Sequence, residues 1–394
     1  MENKKIALFT GNRAEYGLQI PILRAIKEHP NLEYILIVSG AHLDPSYGKT
    51  IEEIKSDGFN IHEEIDIGDG GKDLFSTSHS IGSGISEITK AIEKHKPDIF
   101  IVYADRFESF AASIAASQTN TITVHIEGGD LTEGGALDDS VRHAMTKLCH
   151  FHCVTNKESH DRVLSMGEEN WRVHTVGYPA IDLIENNEFI QPDDIDSLIS
   201  INIKQPIIIF TQHSVTNKYE EVYNQLMPSL EALQKLADEN CQVIITYPNN
   251  DAGGNKIYNK LKEYSNNKNI FLRQSLGRKL YWGILNLSKQ DIAPVVCVGN
   301  SSSGIKETGA FGCPAVNIGS RQSGRLRGEN IIDVGYNTNE IYHAVKKSIT
   351  DDTFIRKCKE STNPYGIGGA GRSIAKIVNS IELNDISRTK KMTI

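Results

Sequence analysis

The chain has little of what would place it in a membrane, on a nucleic acid or in an oxidising compartment. No apolar run approaches the ~18–20 residues that span a bilayer. Residues 1–10 hold one short apolar run and no cleavage-site pattern, so they read as a first strand rather than a signal peptide. Positive charge is in deficit: 42 lysines and arginines against 50 acidic residues leave a formal net charge of -8. That excludes the broad basic face of a general nucleic-acid binder, while a local pocket for a phosphorylated small molecule stays open. The six cysteines form no close-spaced framework, so reduced thiols in a cytoplasmic protein are expected. No internal repeat at a solenoid period occurs. Cys149, His150, His152 and Cys153 are potential zinc ligands. Strand alternation sends such neighbours to opposite faces, and no second pair stands at zinc-finger spacing. They read as structural, and no metal is expected.

What is present is an ordinary globular composition, 39% hydrophobic and 23% charged, over 394 residues. That length suffices for two domains with well-buried cores. Short β-branched runs at 5–10, 32–39, 61–67, 98–103, 121–126, 151–155 and 172–176 alternate with helical patterns such as Ile81, Ile85, Ile88 and Ile92. Most are apolar on both faces, as in parallel sheets covered by helices on both sides. The series restarts with strands at 207–210, 242–247, 269–272, 295–298 and 315–318. The expectation is therefore an α/β chain of two Rossmann-like, doubly wound parallel-sheet domains facing across a cleft. Residues 1–178 form the first and 179–368 the second. Residues 369–394 supply a helix packing back on the first domain, then a polar tail, frayed from Asn384 onward.

The residues that carry chemistry fall just after strands, where such sheets bind ligands. Gly11-Asn-Arg-Ala-Glu-Tyr-Gly17 follows the first strand. It is neither a G-x-G-x-x-G fingerprint nor a Walker A loop, but its glycines, Arg13 and a following helix suit an anion. Gly299-Asn-Ser-Ser-Ser-Gly304 offers amides and hydroxyls at a helix start; one serine would serve as an N-cap, and three exceed that need. Gly319-Ser-Arg-Gln-Ser-Gly-Arg-Leu-Arg327 brings Arg321 beside it, and Arg matches phosphate geometry. Among the acids, Asp105 ends one strand and Glu127 the next. If those strands pair, the two carboxylates come close enough to divide acid and base roles. Asp138 and Asp139 start a helix holding Arg142 and His143, where one of them suits an N-cap. His213, in Thr211-Gln-His-Ser-Val-Thr216, sits past a strand and suits titration near neutral pH. Tyr247-Pro-Asn-Asn-Asp-Ala-Gly253 reads as a turn lining the cleft.

Taken together, the segments GNRAEYG, ADRFE, HIEGGD, DDSVRH, QHSVTN, YPNNDAGG, GNSSSGIKETGAFGCP and NIGSRQSGR resemble, in order and over nearly the whole chain, the hydrolysing UDP-N-acetylglucosamine 2-epimerases of sialic-acid biosynthesis. The resemblance implies a GT-B-like fold, no metal and no nicotinamide cofactor, and a homodimer or homotetramer. It implies conversion of UDP-GlcNAc and water to N-acetylmannosamine and UDP through a glycal. Asp105, Glu127, Asp138 and His213 match the catalytic positions; Arg13, His42, Arg106, Ser301, Ser302, Glu307 and Arg321 match ligand-binding positions. Ser301, Ser302, Arg13 and Arg321 would hold the diphosphate and Glu307 the ribose. The chain departs from the pattern between Asp130 and Asp138, where Leu-Thr-Glu-Gly-Gly-Ala-Leu is one residue longer than in the family's GlcNAc-specific members. That loop would lie near the sugar, which brings in relatives acting on UDP-2,4-diacetamido-2,4,6-trideoxyglucose. Other readings are a non-hydrolysing epimerase, a GT-B glycosyltransferase and a silent UDP-sugar sensor. The acidic trio exceeds what simple transfer needs, and the intact catalytic set opposes a sensor.

Overall fold

The computed structural model describes residues 3–43, 50–68, 70, 74–132, 136–215, 220–248, 254–264 and 267–393. The chain divides into two compact units. The first comprises Met1–Asp130, Leu137–Leu183 and Gly368–Ile394; the second comprises Leu131–Ala136 and Ile184–Ile367. The short segment Leu131–Ala136 thus belongs with the second unit, although chain order puts it inside the first.

In the first unit, strands β1 (Lys4–Thr10), β2 (Leu32–Ser39), β3 (Glu63–Ile65), β4 (Ile99–Tyr103), β5 (Ile122–Ile126), β6 (Phe151–Val154) and β7 (Val173–Thr175) form one sheet in the order β3-β2-β1-β4-β5-β6-β7. Every pairing is parallel. β4 and β5 are buried along their whole length, which is why they read as unbroken apolar runs. In the second unit, β8 (Ile207–Thr211), β9 (Gln242–Thr246), β10 (Ile270–Arg273), β11 (Val295–Gly299), β12 (Ala315–Ile318) and β13 (Ile331–Val334) form a parallel sheet in the order β10-β9-β8-β11-β12-β13. β13 is absent from the sequence-based reading. It is a short, partly exposed edge strand interrupted by Asp333, and only its pairing with β12 makes it a strand.

Winding reverses between β1 and β4 in one sheet and between β8 and β11 in the other. Adjacent loops diverge at such switch points and leave a ligand-sized crevice at the carboxyl ends of the strands. Gly11 and Asp105 follow β1 and β4; His213 and the serine loop follow β8 and β11.

The chain's end is anchored on the first unit. Asp182 accepts the Ala370 and Gly371 amides at 2.9 and 2.8 Å, capping the start of helix Ala370–Ser380. The Lys4 ammonium donates to the carbonyls of Val378, Asn379 and Ile381 at the other end. The tail that composition suggested was frayed is also docked. Asn384 caps a short helix Asp385–Arg388. The buried Arg172 guanidinium donates to the carbonyls of Ile386, Ser387 and Thr389. Lys390 donates to the carbonyls of Thr146, Lys147 and Cys149 at the end of helix Ala136–Leu148. A polar segment orders here because Lys390 gives donors to carbonyls at a helix end while Arg172 gives donors to the segment's own carbonyls.

Lys390 also meets Glu168, whose carboxylate is buried with Lys147, Lys390 and His152 around it at 2.7, 2.7 and 3.0 Å. His152 is thus an acid's partner, His150 bonds the Thr123 hydroxyl at 2.8 Å, and Cys149 and Cys153 are buried thiols. Burial pushes the Glu168 carboxyl up, but His152, Lys147 and Lys390 outweigh it and bring it down to about 2. A depressed carboxyl contributes stability above its unfolded value of 4.5 and loses it as pH falls toward 2. Glu168→Gln should therefore cost about 3 kcal/mol at neutral pH, with the deficit shrinking below pH 4. Urea unfolding at pH 7 and pH 3 checks this; a deficit independent of pH would contradict the charge argument.

Candidate active site

Asp105 and Glu127 are brought together by strand pairing and backbone reversal. β4 and β5 run in register, Tyr103 opposite Ile126, and the Ala104 amide donates to the Ile126 carbonyl at 3.0 Å. Just beyond, Ala104 and Glu127 both adopt left-handed backbone, with φ of 55 and 66°. That conformation costs a non-glycine residue on the order of 1 kcal/mol and is kept only where surroundings enforce it. The enforcement is visible. His125, fully buried, donates from Nε2 to the Ala104 carbonyl at 2.8 Å, and its other nitrogen meets the Thr146 hydroxyl at 3.2 Å. Burial above all brings the His125 imidazole down to about 3, so it works as a neutral support. The glycines after Glu127 serve packing: a Cβ on Gly129 would lie 2.4 Å from the Ser159 carbonyl oxygen.

Arg142 ties these pieces together. Only 3% exposed, it donates one nitrogen to the Asp105 carboxylate and another to the Glu127 carbonyl at 3.1 Å. Burial opposes its charge, and Asp105, Asp130 and Glu127 more than restore it. Asp138 lies one helical turn before Arg142 on helix Ala136–Leu148, on the same face and exposed. The carboxyl of Glu127 is buried, and next to burial itself it is the main influence raising the Tyr103 phenol well above its usual range.

The loop after β1 leads directly into a helix, as its glycine–asparagine–arginine start suggested. Asn12 caps helix Arg13–Glu28 by accepting from the Glu15 amide at 3.0 Å. Arg13 is described as backbone only, the first residue of that helix. Behind the loop lie two buried acids that the sequence reading did not select. Glu15 accepts from the Gly11 amide and the Ser109 hydroxyl at 3.1 and 3.2 Å. Burial, then Glu108, push its carboxyl well above the usual carboxylate range. Arg106 reaches Glu108 at 3.4 Å while its side chain stays 47% exposed, placing its outer face toward solvent. His42, matched to a ligand position, is fully buried, with Thr10 at 3.1 Å on Nε2 and Thr50 at 2.7 Å on Nδ1. Both ring nitrogens are engaged, so its geometry is that of a support for the end of β1.

In the second unit the serine loop follows β11. Gly299 has φ of 128°, and a Cβ there would strike the Thr211 backbone at 1.9 Å, so this glycine permits β11 to close on β8. The following helix, Ser303–Lys306, is a single turn, and Ser302 stands at its N-cap without a side-chain cap bond. Capping does not account for the serines, and a helix dipole contributes little over so short a run. The hydroxyls are instead linked: Ser301 and Ser303 lie 3.0 Å apart, and the Tyr281 hydroxyl reaches Ser303 at 3.2 Å. Trp282 donates to the Glu307 carboxylate at 2.7 Å. Arg321 donates to the Asn300 carbonyl at 3.0 Å, beside the serines as its position implied. Asn300 brackets His213, accepting its amide at 2.7 Å and donating to its carbonyl at 2.9 Å. His213 does not titrate near neutral pH: burial and then Arg321 hold its imidazole down to about 3. Residues 249–253 of the tyrosine–proline turn and residues 216–219 after His213 lie outside the described residues.

Each unit thus carries reactive groups at the switch point of a parallel sheet, in the manner of GT-B-like proteins. Residues 24–379 match the family model for UDP-N-acetylglucosamine 2-epimerase, and the chain belongs to that family. It is 32% identical over 381 residues, 97% of both chains, to the UDP-N,N'-diacetylbacillosamine 2-epimerase (hydrolyzing) of Legionella pneumophila. It is 29% identical over 389 residues, 98% of both chains, to the UDP-N-acetylglucosamine 2-epimerase of Neisseria meningitidis. The crystal structure of a Neisseria meningitidis UDP-GlcNAc 2-epimerase bound to UDP-GlcNAc shares the fold, with a TM-score of 0.81 at 19% identity over 96% of this chain and 100% of that one.

Arg142, Arg325, Glu15 and Glu108 were not singled out as site residues from sequence. A signal existed for Arg142, an arginine one turn after an aspartate pair, but only the fold shows that it points inward.

Proposed function

We propose that the protein is a hydrolysing 2-epimerase that converts UDP-GlcNAc and water to N-acetylmannosamine and UDP. The observation that carries this reading is the convergence of Asp105, Glu127 and Arg142 at the ends of β4 and β5. The reaction needs what such a convergence supplies. A carboxylate removes the carbon 2 proton as the anomeric C–O bond to UDP breaks, leaving a glycal. Water then adds at carbon 1, and a proton returns to carbon 2 from the opposite face. Asp105, Glu127 and Asp138 supply the acids and bases. Ser301, Ser302, Arg321 and Arg13 hold the diphosphate and stabilise the charge that develops on departing UDP. Glu307 holds the ribose, Arg106 contacts substrate, and neutral His213 acts as a hydrogen-bonding group. His42 supports the loop from behind. No metal or nicotinamide takes part, and the active form is a homodimer or homotetramer working in the cytoplasm, in nonulosonic acid synthesis.

A second substrate is favoured by two observations: the extra residue between Asp130 and Asp138, and the Legionella relative named for diacetylbacillosamine. The chemistry is unchanged if UDP-2,4-diacetamido-2,4,6-trideoxyglucose replaces UDP-GlcNAc. Incubation with each sugar nucleotide in deuterated water should release UDP and a free 2-epimerised sugar carrying deuterium at carbon 2. Intact UDP-ManNAc as the product would overturn the hydrolysing assignment. Turnover of the trideoxy sugar alone would move the substrate.

A further inference from the structure

Leu131 and Thr132 belong to the second unit, where a guanidinium reaches both of them. Arg325 donates from Nε to the Leu131 carbonyl at 2.7 Å and from Nη2 to the Thr132 hydroxyl at 2.8 Å. Its third nitrogen, Nη1, donates to the Gln322 side-chain carbonyl at 2.6 Å. Gln322 is fully buried and passes the connection on, donating to the Asn300 carbonyl at 2.9 Å, the same oxygen that Arg321 reaches. Asn300 in turn brackets His213. Packing supports the hydrogen bonds. Gly324, at φ 79°, lets Leu131 approach so closely that a Cβ there would meet its Cδ1 at 2.9 Å.

Resting on the reading above, we propose that Arg325 is a positioning residue that sets which hexose is accepted. It fixes the Leu131 carbonyl and the Thr132 hydroxyl to the loop that carries Arg321, which is itself bonded to Asn300 beside Ser301. A hexose joined to a diphosphate on that loop begins one bond beyond the second phosphate. The segment held by Arg325 therefore stands within reach of the hexose ring, presenting an apolar side chain and a hydroxyl to its substituents. A 4-hydroxyl and a 4-acetamido group differ in both size and hydrogen bonding, so the place of this segment decides between them. The fork of a guanidinium is needed because three acceptors are met at once, which a lysine ammonium on a flexible stem does not reproduce. The grip on UDP itself does not pass through Arg325: Gln322 keeps its bond to Asn300 when Arg325 is changed.

The test compares wild type, Arg325→Lys and Thr132→Val with UDP-GlcNAc and with its 2,4-diacetamido trideoxy counterpart, and measures inhibition by UDP. Arg325→Lys is expected to lower kcat/KM for the better sugar by about ten- to a hundredfold, from the loss of charged hydrogen bonds. The ratio between the two sugars should fall with it, and the inhibition constant of UDP should not change. Thr132→Val, a same-shape change that removes one acceptor, should shift the ratio in the same direction by about threefold to tenfold. Unchanged ratios in both variants, with wild-type turnover intact, would overturn this inference alone. So would a loss that struck both sugars and UDP inhibition in equal proportion, since that marks general loosening. A wild-type protein that turned over neither sugar would overturn the functional reading and this inference with it.

Discussion

Glu127→Gln should lower kcat by about 10²–10⁴, the usual worth of a general acid–base group, while UDP still binds. The substitution keeps shape and removes the charge and proton. Its side chain is buried at the end of β5, on a backbone held left-handed at a local cost, which places the carboxyl rather than letting it sample. Ser301, Ser302, Glu307 and Arg321, proposed to hold most of the UDP, lie in the second unit, so UDP affinity measured by calorimetry should be retained. The activity left over reflects stabilisation of departing UDP, since enzymes commonly reach about 10⁶ or more and acid–base help supplies only part. Loss of UDP binding in a folded variant would make Glu127 a ligand-site residue and move the acid–base role elsewhere.

Arg142→Met should be the most damaging single change to stability, costing about 3–5 kcal/mol, because it leaves a buried ion pair with one partner. Arg142 is the cation facing Asp105, Asp130, Glu127 and Asp139, and it also donates to the Glu127 carbonyl. Without it, carboxylates at the ends of β4 and β5 repel across a partly desolvated space and the reversal at Glu127 loses its donor. Arg142→Lys keeps the charge but not the two-pronged geometry, so it should recover part of the stability and little of the activity. Urea unfolding of the three proteins decides the matter. A methionine variant within about 1 kcal/mol of wild type, an ordinary surface effect, would show that Arg142 carries no such burden.

The strands were legible because those of a parallel sheet buried on both faces are short and wholly apolar, and Ile-Phe-Ile-Val-Tyr of β4 is such a run. β13 was not, because Ile331-Ile-Asp-Val becomes a strand only when β12 lies beside it. The tail misled for the opposite reason. Its polar composition suggests fraying, yet Lys390 and Arg172 order it by finding buried carbonyls that lie far away in sequence. His213 shows the same limit. A histidine after a strand invites a titrating role, and burial in the fold keeps its imidazole neutral, at about 3.

The sequence by itself determined the two βαβ series and the ordered motifs after their strands, since local hydrophobic periodicity and glycine placement are properties of neighbouring residues. It also determined which acids would stand at the ends of β4 and β5. Only the tertiary structure decided what holds them there. Arg142 beneath Asp105 and Glu127, Glu15 against Glu108, and Arg325 on Leu131 and Thr132 are contacts between residues far apart in the chain. Their strength comes from burial, which makes an unpaired charge or carbonyl costly, and burial is not written in any one segment.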